Sequence, residues 1–392
     1  MSSLKYFSTW FVFLMGVISF VYIPIFLYPT NIYYFLLSVL LLLSFSIGYL
    51  SGFLTKAGKY YIYTSSFDYS KLRFPVILTY LIYTYVFIFF VGTETGAYAD
   101  EFANKSQLSL YLQLIEKPMR VVFLFLLSSV VYNNKRYFLV VAILYLIISL
   151  SSNTRLDFVF SMIYWVGYGA YLGFFRIRLV YVLASLILFP FLATILLIKR
   201  VMKFESTNIF DIFLYLYETL TLGDIIEGMS DGVELFQSYL IGLSVIDDNF
   251  IHPFSGIIRI LFLWIPRTLW QDKPESISRI IAKEYVPEAY SSGGGQTAGP
   301  IGDAFINAGF LGVIIFWILV GFYSFRSYSF LKRNYYLPSS PYKVYIWLMY
   351  FNFLSYLVYA MRGFGSDFFW VFLFQLLVIK TILLIGFKRV DN

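Results

Sequence analysis

The chain predicts an all-α polytopic integral membrane protein of about ten transmembrane helices, with one large external loop that carries short interfacial helices. Three observations lead there. Hydrophobic residues make up 60% of the 392, charged residues only 13%, and soluble domains carry about 25% charged residues. Apolar runs recur along the chain near the roughly 20-residue length a spanning helix needs. Basic residues gather on alternate connections between those runs, as the positive-inside bias requires.

Taken in order, the expected spans are Tyr6–Leu27, Tyr33–Leu54, Phe74–Val91, Val121–Tyr132, Tyr137–Leu150, Leu156–Gly173, Val180–Ile198, Phe305–Phe325, Tyr345–Ala360 and Phe368–Ile385. The fourth and fifth are short for the task. The first is long and is followed by no small-residue cleavage site, so it reads as a helix rather than a removable signal peptide. One set of connections holds Lys5, Lys56, Lys59, Lys71, Arg73, Lys135, Arg136, Arg176, Arg178, Arg326, Lys332, Arg333, Lys343, Lys388 and Arg389, 15 basic residues in all. Those connections and both termini are assigned to the cytoplasm. The opposite short connections hold only Lys105, Lys117, Arg120, Arg155 and Arg362, and Lys380, within the last span, reaches the cytoplasmic face by snorkelling. The net charge of +7 therefore follows from topology and does not indicate a nucleic-acid partner.

This divides the chain into N-terminal membrane helices (1–198), a large external loop (199–304) and C-terminal membrane helices (305–392). The loop holds 14 of the 22 acidic residues and the one histidine, His252. Its segments 209–220 and 256–270 are apolar, aromatic and too interrupted to span, which suits helices lying in the interface. A further short helix is expected over 228–242. The chain has no cysteine, so neither disulfides nor thiolate metal sites are available to it. It has no Asp-x-Asp pair, and its histidine has no histidine partner, so no protein-held divalent metal and no other cofactor is demanded.

Candidate site residues cluster outside. Arg155 lies in SSNTR (151–155), Arg267 in WIPRTLWQDKPES (264–276) and Arg362 in MRGFGSDFF (361–369). An arginine in a tight outer loop runs against the topological bias. It either pairs with a local carboxylate, Asp157 or Asp367, or contributes its planar fork to a shared anion. Arg279 and Arg200 are weaker candidates of the same kind, since acidic or basic neighbours account for them. The stretch SSGGGQTAGPIGDAFINAGFLGV (291–313) ends the loop, and Gly299–Pro300 is a helix-start signal. The free N–H groups of such a start favour an anion, and glycines let backbone approach it. Asp303 and Asn307 share one face at helical spacing, and Ala304, Ala308 and Gly312 form a small-residue stripe beside it. A carboxylate at the membrane edge needs a partner or a task.

Together these segments resemble the O-antigen polymerase (Wzy-type) family, within the wider group of lipid-linked oligosaccharide polymerases and ligases. The resemblance covers the architecture of the whole chain, with its specific residues in about a third of it; many members carry glutamate where this chain has Asp303. It implies a GT-C-like glycosyltransferase of the bacterial inner membrane that polymerises undecaprenyl-pyrophosphate-linked repeat units at the periplasmic face for lipopolysaccharide biosynthesis. Neither nucleotide sugar nor metal is implied, and the expected partners are the lipid-linked oligosaccharide, membrane lipid, a chain-length regulator protein and a flippase. Under this reading Arg155, Arg267, Arg362 and Arg279, with the 293–302 backbone around Gly299, hold pyrophosphate. Asp303 is the first candidate for the base that deprotonates the acceptor hydroxyl and His252 the second. An O-antigen ligase shares the same logic. A flippase or transporter would need a charged path through the spans, whereas here the polar residues gather outside and no internal repeat is visible.

Overall fold

The computed structural model of the chain describes residues 8–27, 31–55, 62–63, 120–151, 155–176, 235–253, 275–291, 294–338, 340–387 and 389–390, with four single positions between 258 and 270. The expected spans at Phe74–Val91 and Val180–Ile198 lie outside these residues, as do the 209–220 segment, Arg200 and Arg267.

The described residues are helical apart from turns and one two-residue antiparallel pair, β1 (Ile62–Tyr63) with β2 (Arg389–Val390). Five helices are long and apolar enough to cross a membrane: α1 (Thr9–Leu27), α2 (Ile32–Leu54), α9 (Gly299–Arg333), α10 (Pro341–Met361) and α11 (Gly365–Gly386). They coincide with five of the ten expected spans and make this a helical membrane protein. Between them lie α3 (Arg120–Val131), α4 (Lys135–Ser151), α5 (Arg155–Leu172), α6 (Leu235–Asp247), α7 (Ile277–Tyr285) and α8 (Pro287–Ser291). The expected spans over Val121–Tyr132 and Tyr137–Leu150 are helices over Arg120–Val131 and Lys135–Ser151, and neither reaches spanning length. The helix expected over 228–242 is described from Leu235 and runs past Gly242 to Asp247.

The chain forms two compact units. The first contains α3, α4 and α5 with residues 338–344. Its core is aromatic: Phe138 meets Trp165 edge to face at 5.6 Å, and the buried Tyr168 hydroxyl donates to the Ser128 carbonyl at 3.2 Å. Lys343 lies over the Tyr171 ring at 4.9 Å, a cation–π contact that accommodates a buried ammonium.

The second unit contains α1, α2, α6 to α9, α11 and most of α10. Each helix starts or bends for a local reason. Asn31 accepts from the Tyr33 N–H and so caps α2, while its amide donates to Asp247 at 2.6 Å, tying the end of α6 to the start of α2. In α1 a π-helical turn over Ile18–Tyr22 leads into Pro24, whose ring supplies no N–H to the preceding turn. Along the longest interface, α2 and α9 pack backbone against backbone: a β-carbon on Gly48 would collide with the Ile318 carbonyl, and one on Gly321 with the Phe45 carbonyl. Lipid tails give apolar helices no hydrophobic reason to associate, so this close approach and its dispersion contacts hold the pair. Phe13 stacks on Phe45 at 3.5 Å between the helices, with Trp317 fully buried beside them.

α9 is not continuous. Ala308 (φ −161°, ψ 34°) and Gly309 (φ 57°, ψ −142°) leave the helical region and split it into a short N-terminal part and a long C-terminal part. Any residue but glycine at position 309 would carry the left-handed strain of about 1 kcal/mol or more. The Ile306 carbonyl at the break accepts the His252 N–H at 2.8 Å. The break corrects the expected stripe of Ala304, Ala308 and Gly312: it does not run down one face, and Gly312 packs on the Ala304 carbonyl of its own chain across the bend.

Candidate functional site

The starts of three helices, α7, α9 and α11, are linked to one another by two carboxylates. α11 begins at Gly365 with Phe364 at its N-cap, which offers no side-chain oxygen. Asp303, one turn into α9, supplies the missing acceptor: its Oδ2 takes the Ser366 N–H at 3.1 Å, with Gly365 N–H and the Ser366 side chain also bonded to the carboxylate. The residue is 2% exposed. Asn307 completes the junction, donating from Nδ2 to the Asp303 carbonyl and to Ser366 Oγ, each at 2.8 Å. The shared face expected for Asp303 and Asn307 is therefore real, and its target is the first turn of α11.

Asp367 repeats the device one step on. It lies in the first turn of α11, and its two carboxylate oxygens accept the N–H groups of Ile277 (3.0 Å) and Ser278 (3.1 Å), capping α7. Ser276, the residue at the α7 N-cap, makes no cap bond with its own side chain. In both places a carboxylate sits on the positive end of a helix dipole, which stabilises the charge and satisfies orphan donors together. Segment 294–298 closes beside α7, with the Gln296 N–H donating to the Ser278 carbonyl at 2.8 Å.

Gly299 opens α9 at φ 69° with Pro300 next, as the helix-start signal predicts. Gly363, in the turn from α10 to α11 at φ 86°, packs directly on the Gly299 backbone; a β-carbon there would stand 2.7 Å from the Gly299 carbonyl atoms. Arg362 immediately precedes it, half-buried, with its guanidinium over the Phe364 ring at 5.3 Å. The structure thus brings Gly299, Asp303 and the Arg362 turn together. Arg279 sits on α7, its Nε 3.5 Å from Glu275 and its guanidinium over the Tyr290 ring at 4.5 Å. His252 is half-buried, its ring 4.5 Å from that of Phe250, and its backbone rather than its imidazole reaches α9. Nearby, the Tyr285 hydroxyl donates to Asp248 at 3.0 Å, and burial, reinforced by Asp248, pushes that phenol above its ordinary range. Arg155 begins α5 in the first unit.

Ser366 and Asp367 emerge only in the structure as parts of this junction. The sequence signal for Asp367 is an acidic residue in the first turn of an uncapped helix, which reads equally well as a partner for Arg362. Among the described residues no group of three or more His, Asp or Glu could hold a metal ion. No family model, no curated protein and no solved structure matches the chain.

Proposed function

We propose that this membrane protein is a glycosyltransferase that polymerises lipid-pyrophosphate-linked oligosaccharide repeat units at the periplasmic face of the bacterial inner membrane. The observation that carries the reading is the junction of Gly299, Asp303 and the Arg362 turn: a helix start and a buried acid on α9, packed against a turn that carries an arginine. Transfer from a lipid pyrophosphate needs the departing anion stabilised, which a guanidinium and helix N–H groups do. The acceptor hydroxyl must also lose a proton.

Of the two candidate bases, His252 lies nearer the surface, whereas the Asp303 carboxylate is enclosed and engaged by the α11 start. We therefore assign Asp303 the positioning of the Arg362–Ser366 turn, with His252 as the base. Arg362 provides a guanidinium in this scheme, and the contributions expected of Arg155, Arg267 and Arg279 are matters for substitution. The test is a cell-based glycan ladder. Arg362→Ala and Arg267→Ala each shorten it, and full-length ladders from both variants would remove the anion clamp.

The break in α9 favours one further reading, a transporter of lipid-linked oligosaccharide, since discontinuous helices build transporter sites near mid-membrane. Retained single-unit transfer to the cell surface with no effect on chain length would support it. Loss of all surface glycan would favour ligation.

A further inference from the structure

Two of the three helix starts in the junction hold a protein carboxylate: α11 holds Asp303, and α7 holds Asp367. The third, α9, is buried, has Ala298 at its N-cap, and among the described residues receives no side-chain cap bond. What faces it is a phenol. The Tyr34 hydroxyl stands 3.7 Å from the point a β-carbon on Gly299 would occupy, and the Ser238 carbonyl 3.6 Å from the same point.

Tyr34 is 0% exposed, and among the described residues its hydroxyl has no hydrogen-bond partner. Tyr239 on α6 meets it edge to face at 4.9 Å, is 1% exposed, and its hydroxyl is likewise without a partner. Two neighbouring hydroxyls, of Ser238 and Thr297, bond to each other rather than to the phenols. Buried polar groups are normally paired, because an unpaired one forfeits its hydration with no return. Here the Tyr34 phenol stands beside the N–H groups of a helix start, and the Tyr239 phenol belongs to the ring packed on it. A ligand that only accepts complements all of them.

We infer that Tyr34, Tyr239 and the N-terminus of α9 form a binding site for a phosphate-type oxyanion. The choice of a phosphoryl group rests on the glycosyltransferase reading above; the set of donors does not. Segment 294–298 leads into this start and is tied to α7 by the Gln296–Ser278 backbone bond. Gly363, which follows Arg362, packs on the Gly299 backbone at this start.

The experiment uses the purified full chain and follows its melting temperature. One arm titrates inorganic phosphate and inorganic pyrophosphate in neutral detergent; the other compares micelles with and without phosphatidylglycerol. The wild type gains melting temperature saturably in at least one arm. The Tyr34→Phe/Tyr239→Phe double variant needs at least about tenfold more anion for the same gain, since each lost hydroxyl removes a bond to a charged group. Without anion the variant melts no lower than the wild type, because it loses only unpaired hydroxyls. A response confined to phosphatidylglycerol and lost in the variant supports the site with a lipid headgroup as the source. No response of the wild type in either arm, or an equal response from the variant, overturns it. Anion binding by a chain that makes no polymer would overturn the enzyme reading alone, and polymer formation without any anion response would overturn this site alone.

Discussion

Replacing Asp303 separates a structural acid from a catalytic one. In Asp303→Ala the N–H groups of Gly365 and Ser366 stay buried and lose their acceptor. An orphaned donor costs about 1–3 kcal/mol, and the lost charge at the α11 N-terminus adds about 0.3–1 kcal/mol. Relief from burying an ion offsets part of this. The net expectation is about 2–4 kcal/mol of lost stability. Asp303→Asn keeps one acceptor oxygen for Ser366 and forfeits the charge, so it should fall about midway. Unfolding in mixed micelles of rising dodecyl sulfate fraction gives the order wild type, Asn, Ala, and amide exchange at Gly365 and Ser366 accelerates in the same order. Two variants as stable as the wild type would refute the capping argument. An Asn variant that unfolds like the wild type yet makes no polymer would return Asp303 to the role of base.

Two further substitutions test the frame around the junction. Gly48→Leu drives a side chain into the Ile318 carbonyl, a backbone atom that cannot rotate aside, so α2 and α9 must part. Folded protein recovered from membranes should fall severely, while Leu50→Ala, on the exposed side of the same helix, changes it little. Asp367→Ala frees the Ile277 and Ser278 N–H groups, and α7 should lose about 1–3 kcal/mol of local stability, seen as faster amide exchange over residues 277–282 with α9 unaffected.

The five long apolar helices are legible in the sequence because hydropathy over some 20 residues is a local signal. So is the start of α9, where glycine and proline act through their own backbone limits. The face shared by Asp303 and Asn307 follows from helical spacing alone, but its target does not. Ser366 lies 63 residues from Asp303, and nothing local to either residue announces the other. Asp367 is similar: an acid in a first turn reads as a complement to its own helix, whereas its partners are 89 and 90 residues back. The break in α9 was hidden by composition, since Ala308 and Gly309 suit a small-residue packing stripe as well as they suit a bend. Tyr34 and Tyr239 sit in apolar helices where tyrosine is common, and only packing reveals that their hydroxyls lack partners.

The most direct test of the polymerase reading is reconstitution of the purified chain in lipid vesicles with one defined lipid-pyrophosphate-linked repeat unit, with a chelator present and no nucleotide sugar. The account predicts a ladder of products, each longer by one repeat, with release of the lipid pyrophosphate. Substrate recovered unchanged, or merely moved from one leaflet to the other, would contradict it.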